Sequence, residues 1–324
     1  MKLEDIGFYT LEDKRAKEVS LSSPLWRCEL LLTDRCNFKC PYCRGPNEHT
    51  NGTLTFDEAC HVVDLWASHN LKNIRFSGGE PTVLKYLEDL VKYTKAQGIG
   101  RIAISTNGSA KPELYDRLAD AGVNDFSVSL DACCASTGDI MAGNIPDSWK
   151  KVVHNIEALS KRTYVTVGVV LTDDNFEELS NIIEYADSLG VSDIRIISSA
   201  QWNNEEKFRE LFSNSEVLVK HPILNYRIKN FRNGRNVRGI RSTDADKCYL
   251  MMDDMVIAKN NHFPCIISLR EGHPPIGSIL GKTMTEIRTE RYEWMLKNNT
   301  HKCGTCRNNC LDVCVDYNNK VHNR

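Results

Sequence analysis

Cys36-Asn37-Phe38-Lys39-Cys40-Pro41-Tyr42-Cys43 follows the apolar run Cys28-Glu29-Leu30-Leu31-Leu32 and the polar break Thr33-Asp34-Arg35. Its three thiols sit on a loop leaving an expected strand. Three thiolates are ligands for a soft metal. They can hold three irons of a [4Fe-4S] cluster and leave the fourth open to a substrate or second molecule. The competing reading is a structural zinc loop, which needs a fourth ligand, and His49 is the nearest candidate.

The Cys-x3-Cys-x2-Cys spacing, with Tyr42 before the last cysteine, resembles the signature of radical S-adenosylmethionine (SAM) enzymes. The resemblance implies that Cys36, Cys40 and Cys43 carry the catalytic cluster and that its open iron chelates the amino and carboxylate groups of SAM. An electron from the reduced cluster would then cleave SAM to a 5′-deoxyadenosyl radical.

Outward from this loop, the chain alternates β-rich runs with amphipathic helical patterns. Strands are expected at Cys28–Leu32, Asn73–Phe76, Arg101–Ser105, Asp125–Leu130, Tyr164–Leu171 and Asp193–Ile197, and helices at Phe56–His69, Leu84–Gln97, Pro112–Ala121, Asp147–Leu159 and Asn175–Leu189. The fold class is therefore α/β, as parallel βαβ units in a partial barrel. The resemblance implies a (β/α)6 partial barrel, followed here by a small cysteine-rich auxiliary-cluster domain. The expected organisation is an N-terminal extension at 1–24, a core at 25–200, a basic bridging segment at 201–245 and an auxiliary domain at 246–324. With so short a polar leader, the peptide-recognition domain that many peptide-modifying members of that family carry is not expected here.

In parallel barrels the chemistry lies at the C-terminal strand ends. After the second strand comes Ser77-Gly78-Gly79-Glu80-Pro81, whose paired glycines let backbone approach a ligand closely. It resembles the family's GGEP motif, which implies that Gly78 and Gly79 hold the methionyl end of SAM while Glu80 faces its ammonium. Ser105-Thr106-Asn107-Gly108 and Ser129-Leu130-Asp131 resemble segments lining the SAM pocket, so Ser105, Asn107, Ser129 and Asp131 join Tyr42 as cofactor candidates. Ile194-Arg195-Ile196-Ile197 reads either as apolar backing for adenine or as a buried core strand. Cys133 and Cys134 read as buried small residues, with a substrate-contacting thiol as the alternative, and Cys28 and Cys60 read as core.

Lys220 to Arg241 holds seven Lys or Arg and no Asp or Glu. This is either a solvated helix face or a strip for an acidic peptide, phosphate or RNA. Beyond it stand Cys248, Cys265, Cys303, Cys306, Cys310 and Cys314. Cys248 and Cys265 bracket a hairpin expected over Met251–Asn261, turning near Lys259-Asn260-Asn261, where Asn would supply positive φ. A helix is expected at Thr283–Leu296. The pattern resembles SPASM and twitch auxiliary-cluster domains but departs from SPASM spacing, since three residues separate Cys306 from Cys310 and no cysteine follows Cys314. Two arrangements stay open. One has two clusters, on Cys248, Cys265 and Cys314 and on Cys303, Cys306 and Cys310, with Asp312 or Asp316 completing a shell. The other has one cluster on Cys248, Cys265, Cys303 and Cys306. Zinc is the competing occupant.

The 324 residues, with net charge −2, are not a globally basic nucleic-acid binder. No apolar run is long enough to span a membrane, and thirteen clustered cysteines point to metal in a reducing cytoplasm. The expected function is that of a radical SAM oxidoreductase or maturase making an oxidative cross-link or epimerisation in a ribosomally made peptide. Its cofactors would be SAM, the SAM-binding cluster and one or two auxiliary clusters, with flavodoxin or ferredoxin as reductant. The alternatives are a sugar or cyclitol dehydrogenase and, from another class, a zinc-stabilised nucleic-acid binder.

Overall fold

The computed structural model describes residues 13–199 and 220–323. The first half of the leader and the first part of the bridging segment lie outside the described residues. α1 (Asp13–Glu18) precedes six strands: β1 (Arg27–Thr33), β2 (Asn73–Gly78), β3 (Arg101–Thr106), β4 (Asp125–Ser129), β5 (Tyr164–Leu171) and β6 (Asp193–Ser198). They run parallel, each beside the next in sequence order. Between them lie α2 (Phe56–Ala67), α3 (Leu87–Ala96), α4 (Pro112–Ala121), α5 (Ala135–Met141), α6 (Ser148–Ser160) and α7 (Leu179–Ser188). Local signals place their starts: Thr55 and Glu58 form a capping box on α2, and Pro112 opens α4. The short α5 was not expected from the sequence.

Each strand alternates. Leu30, Phe76, Ile104, Phe126, Val167 and Ile194 belong to one apolar core with the helices. The two-residue period turns Glu29, Arg75, Ser127 and Arg195 to the opposite face, inside the barrel. Only part of Ile194–Ile197 therefore matches an apolar backing. Ile194 and Ile196 belong to the core, Ile197 lines the mouth, and burial beside Arg75 and Arg27 lowers Arg195 to about 9.

The cysteine-rich tail joins the same sheet. β7 (Asp254–Ala258) pairs in parallel with the free side of β1, from Arg27 opposite Asp254 to Leu31 opposite Ala258, and Arg27 meets Asp254 at 2.9 Å. The antiparallel β8 (Asn261–Phe263) and β9 (Gly277–Ser278) extend it. The hairpin is shorter than expected because Tyr249–Met252 form a 3-10 turn, and the positive φ falls on Lys259, at 53°, not on an asparagine. The expected Thr283–Leu296 helix runs from Met284 to Lys297, capped by Thr283 with Glu286. Its Arg291 is fully buried and donates to the carbonyls of Met251, Asp254 and Phe263.

Part of the leader is docked rather than loose. Arg15 is buried against Asp253 and lies over the Trp26 ring, while Ala16 and Val19 pack with Met251, Tyr317 and Val321. No helix among the described residues is long and apolar enough to cross a membrane.

Much of the basic run is spent internally. Arg227, on the Pro222–Arg232 helix, stands 2.9 Å from Asp312, both with side chains at most 1% exposed. The pair is not aligned as a hydrogen bond, and Asn230 donates to Asp312 at 3.0 Å. Arg235 pairs with Asp244 and Asp316, Lys220 pairs with Asp187, and Arg238 is buried. Lys229, Arg232 and Arg241 are exposed. The run is thus neither a uniform solvated face nor an open anion strip, because the barrel, the bridging segment itself and the tail supply carboxylates to it. Asp312→Ala would leave a buried guanidinium without its counter-charge and is expected to cost about 3–5 kcal/mol in chemical denaturation. Arg227→Met with Asp312→Leu should recover most of that loss.

Candidate functional site

The cysteine loop crosses the C-terminal end of the barrel and is held at both ends. At one end, Asn107 Nδ2 donates to Asn37 Oδ1 at 2.9 Å and Asn37 Nδ2 to Ser109 Oγ at 2.8 Å. At the other, the Tyr42 hydroxyl donates to Asp131, whose second oxygen accepts the Val170 amide at 2.7 Å. Burial raises the Asp131 carboxyl to about 6 against these bonds, and burial raises the Cys40 thiol to about 12. A thiol raised in this way loses its proton readily only to a metal ion.

Gly78 and Gly79 have a structural task besides the one expected of them. A Cβ on Gly79 would overlap the carbonyl of Arg35, and one on Gly78 the carbonyl of Thr33. Gly79 N donates to Thr33 O and Glu80 N to Arg35 O, so the close approach the glycines permit is to the entry of the cysteine loop. Both still line the mouth. Glu80 does not present its carboxylate to a ligand. It is fully buried and accepts from Thr82 N at 3.0 Å, Thr82 Oγ1 at 2.6 Å, Thr106 Oγ1 at 2.8 Å and Asn107 N at 2.6 Å. Burial pushes its carboxyl upward and these donors oppose the rise. Glu80 thereby fixes Asn107, which grips the cysteine loop. Sequence reasoning missed Thr106, although it stood between two candidates.

A cavity of about 720 Å³ opens at this face. Cys36, Cys40, Cys43, Tyr42, Gly78 and Gly79 line it, together with Val170, Ile197, Arg238, Ile266, Arg270 and Leu311. Asn107, Ser129 and Asp131 line a smaller pocket that shares Phe38, Cys40 and Tyr42 with the first, while Ser105 and Glu80 line neither. The tail's contribution had no local signal. Arg270 ends the Ile266–Arg270 helix and donates to Gly78 O at 3.0 Å, and Arg44 pairs with Glu271 at 2.6 Å. Arg238 bonds Ser198 and the carbonyl of Asn309.

The six tail cysteines converge. All six are free thiols: Cys306 donates a hydrogen bond to Cys303 and Cys310 one to Cys314, and Cys248 and Cys265 feel one another and Cys314. The bond from Cys306 holds Cys303 down at about 5, while burial raises Cys248 to about 11. Asp312 and Asp316 are engaged by Arg227, Arg235 and Tyr226, so neither is free to complete a metal shell as expected.

Donor spacing tests zinc. Thiolates on one tetrahedral zinc lie about 3.8 Å apart, from Zn–S bonds of about 2.3 Å. Among the described residues, the only three candidate donors all within 4.8 Å of one another are those of Cys133, Cys134 and Glu178. Neither Cys36, Cys40 and Cys43 nor any three tail cysteines are so close. Neither set brings three donors to the mutual spacing that one zinc requires.

The family model described as "Radical SAM superfamily" matches residues 30–186. Residues 30–186 form a radical SAM domain. A [4Fe-4S] cluster and SAM are the cofactors of this radical SAM domain. The AdoMet-dependent heme synthase of Methanosarcina barkeri is 34% identical over 163 residues, which are 49% of this chain and 46% of the relative. The GTP 3′,8-cyclase of Synechococcus elongatus is 31% identical over 203 residues, 59% of this chain and 60% of the relative. The chain thus spans about half to three-fifths of these curated relatives. In fold it is similar to SuiB of Streptococcus suis bound to S-adenosylmethionine, with TM-score 0.62 and 14% identity, covering 89% of this chain and 72% of that one. It is also similar to anSMEcpe with bound AdoMet, with TM-score 0.62 and 15% identity, covering 92% and 96%.

Glu80→Gln keeps the size but sets an NH2 group against donors. It should cost about 1.5–3 kcal/mol and accelerate amide exchange at Asn107 and across Cys36–Cys40. Unchanged exchange there would show that Glu80 does not hold the loop.

Proposed function

We propose that the barrel and tail together form a radical SAM enzyme whose substrate occupies the cavity between the Cys36–Cys43 loop and the cysteine-rich tail. One observation carries the reading: a single cavity is lined by Cys36, Cys40 and Cys43 on one wall and by Ile266, Arg270 and Leu311 on the other. In this reading Cys36, Cys40 and Cys43 hold the cluster, and the backbone of Gly78 and Gly79 meets the methionyl end of SAM. Tyr42, Asn107, Ser129 and Asp131 shape the adjoining pocket, and Glu80 and Ser105 act from behind it. When bound, the cluster and SAM supply the 5′-deoxyadenosyl radical that removes a substrate hydrogen. The six tail cysteines form a SPASM- or twitch-type auxiliary site that accepts the remaining electron or binds substrate.

Leu31, Val170, Ile197, Ile266 and Leu311 give the cavity dry walls, and among the described residues Lys39, Arg238, Arg270 and Arg44, the last paired with Glu271, line it with one carboxylate, Asp34. An anionic group on the substrate suits that balance. The first reading is oxidative cross-linking or epimerisation of a peptide with an acidic residue. It is supported by likeness to SuiB bound to its precursor peptide SuiA, at TM-score 0.61, and to peptide-bound anSMEcpe. A small anionic molecule is the second reading, favoured by sequence similarity to GTP 3′,8-cyclases. A flavodoxin or ferredoxin would supply electrons in the cytoplasm, where free cysteines persist.

Changing Cys36, Cys40 and Cys43 together to alanine should abolish 5′-deoxyadenosine formation under dithionite, while iron and sulfide remain on the tail. Continued cleavage of SAM would remove the loop from the active site, and zinc without sulfide on the tail would make that site structural. Deuterium transfer into 5′-deoxyadenosine from labelled peptides or labelled nucleotides separates the two substrate readings.

A further inference from the structure

A second metal-ligating constellation lies on the rim of the barrel, outside both cysteine sites already described. β4 ends at Ser129, and the chain runs through Asp131 into Cys133-Cys134, which lead into α5. Glu178 precedes α7, at the end of the loop after β5. Neighbouring residues on a regular strand face opposite ways. Here the turn into α5 brings both sulfurs to the same carboxylate, so the Sγ atoms of Cys133 and Cys134 and an oxygen of Glu178 all lie within 4.8 Å of one another.

The surroundings are built for a cation. Cys133 Sγ lies 3.6 Å from Glu178 Oε2, and Thr137 Oγ1 donates to Glu178 Oε1 at 3.1 Å, fixing the carboxylate's orientation. Cys134 Sγ is 3.1 Å from Ser136 Oγ and 3.6 Å from Thr137 Oγ1. No Lys, Arg or His among the described residues pairs with Glu178, although burial and that carboxylate push the Cys133 thiol upward. Ser136 and Thr137 hold the Cys134 thiol below its ordinary value. Both cysteines are partly exposed, so an ion can enter from solvent. Cys133 also packs against the apolar core, but packing alone does not bring both sulfurs to one carboxylate.

We propose that Cys133, Cys134 and Glu178 bind one soft divalent cation, zinc by ligand type, with water in the fourth position. Two thiolates and a carboxylate match zinc's sulfur and oxygen preferences, and the spacing is compatible with a tetrahedral site. Binding releases the two thiol protons. It ties the loop after β4 to the start of α7, and so braces Asp131, two residues upstream, which holds Tyr42 in the cysteine loop. The site is a clip on the rim of the barrel and takes no part in cleaving SAM.

The test uses the full chain with its iron–sulfur sites loaded anaerobically, then exposed to zinc and washed. Zinc should appear at about one per chain with iron unchanged, and should be lost from Cys133→Ser/Cys134→Ser. Cobalt(II) as probe should give thiolate-to-metal absorption in the wild type and none in the double variant. If the double variant fails to fold, Thr137→Val, which keeps every ligand, should weaken cobalt binding about tenfold through loss of the bond that orients Glu178. Absence of zinc from the loaded wild type, equal zinc in the double variant, or a Cys133–Cys134 disulfide in the loaded protein would overturn the proposal.

Discussion

The buried carboxylate of Glu80 is the constraint from which the geometry of the site follows. A carboxylate removed from water without a cation is strongly disfavoured unless donors replace its hydration. Glu80 meets that demand with the amides of Thr82 and Asn107 and the hydroxyls of Thr82 and Thr106. Satisfying it locks the end of β2 to the end of β3. Asn107, held by its amide, then uses its side chain to place Asn37 beside the first cysteine. Asp131 repeats the arrangement at the other end, linking the ends of β4 and β5 to Tyr42. The cysteine loop is thus positioned by two buried acids on the parallel strands, with the glycine pair giving its entry room to pass.

The barrel was legible because its signals are local. Short β-rich runs between amphipathic helical patterns marked the strands of residues 26–200, and Pro112–Ala121 was placed to the residue. What was not legible was the direction in which polar groups at strand ends turn. Glu80 stands where a ligand-facing acid would stand, but the hydroxyl of Thr106 and the amide of Asn107 turn it inward, and spacing along one strand carries no information about donors on the next. The basic run failed for a similar reason. Its cations read as surface until the tail, some eighty residues later in sequence, places Asp312 and Asp316 against them.

The tail reads in sequence as an appended domain, yet β7 is hydrogen-bonded to β1 in the barrel sheet. That pairing brings Arg270 to the carbonyl of Gly78 and Glu271 to Arg44, one residue beyond Cys43. Both walls of the cavity are therefore set by one sheet, and the tail cysteines stand in fixed relation to the first cysteine loop. No pattern in either segment announced this, because a parallel pairing between residues more than two hundred apart leaves only two ordinary apolar strands to read.

The central claim is that Cys36, Cys40 and Cys43 hold a cluster with one iron open to SAM, apart from whatever the tail binds. Electron paramagnetic resonance of the dithionite-reduced, iron–sulfur-loaded full chain, recorded with and without SAM, addresses it directly. The account predicts that SAM shifts the signal of one cluster and leaves the remainder unchanged, whereas a spectrum indifferent to saturating SAM would contradict it.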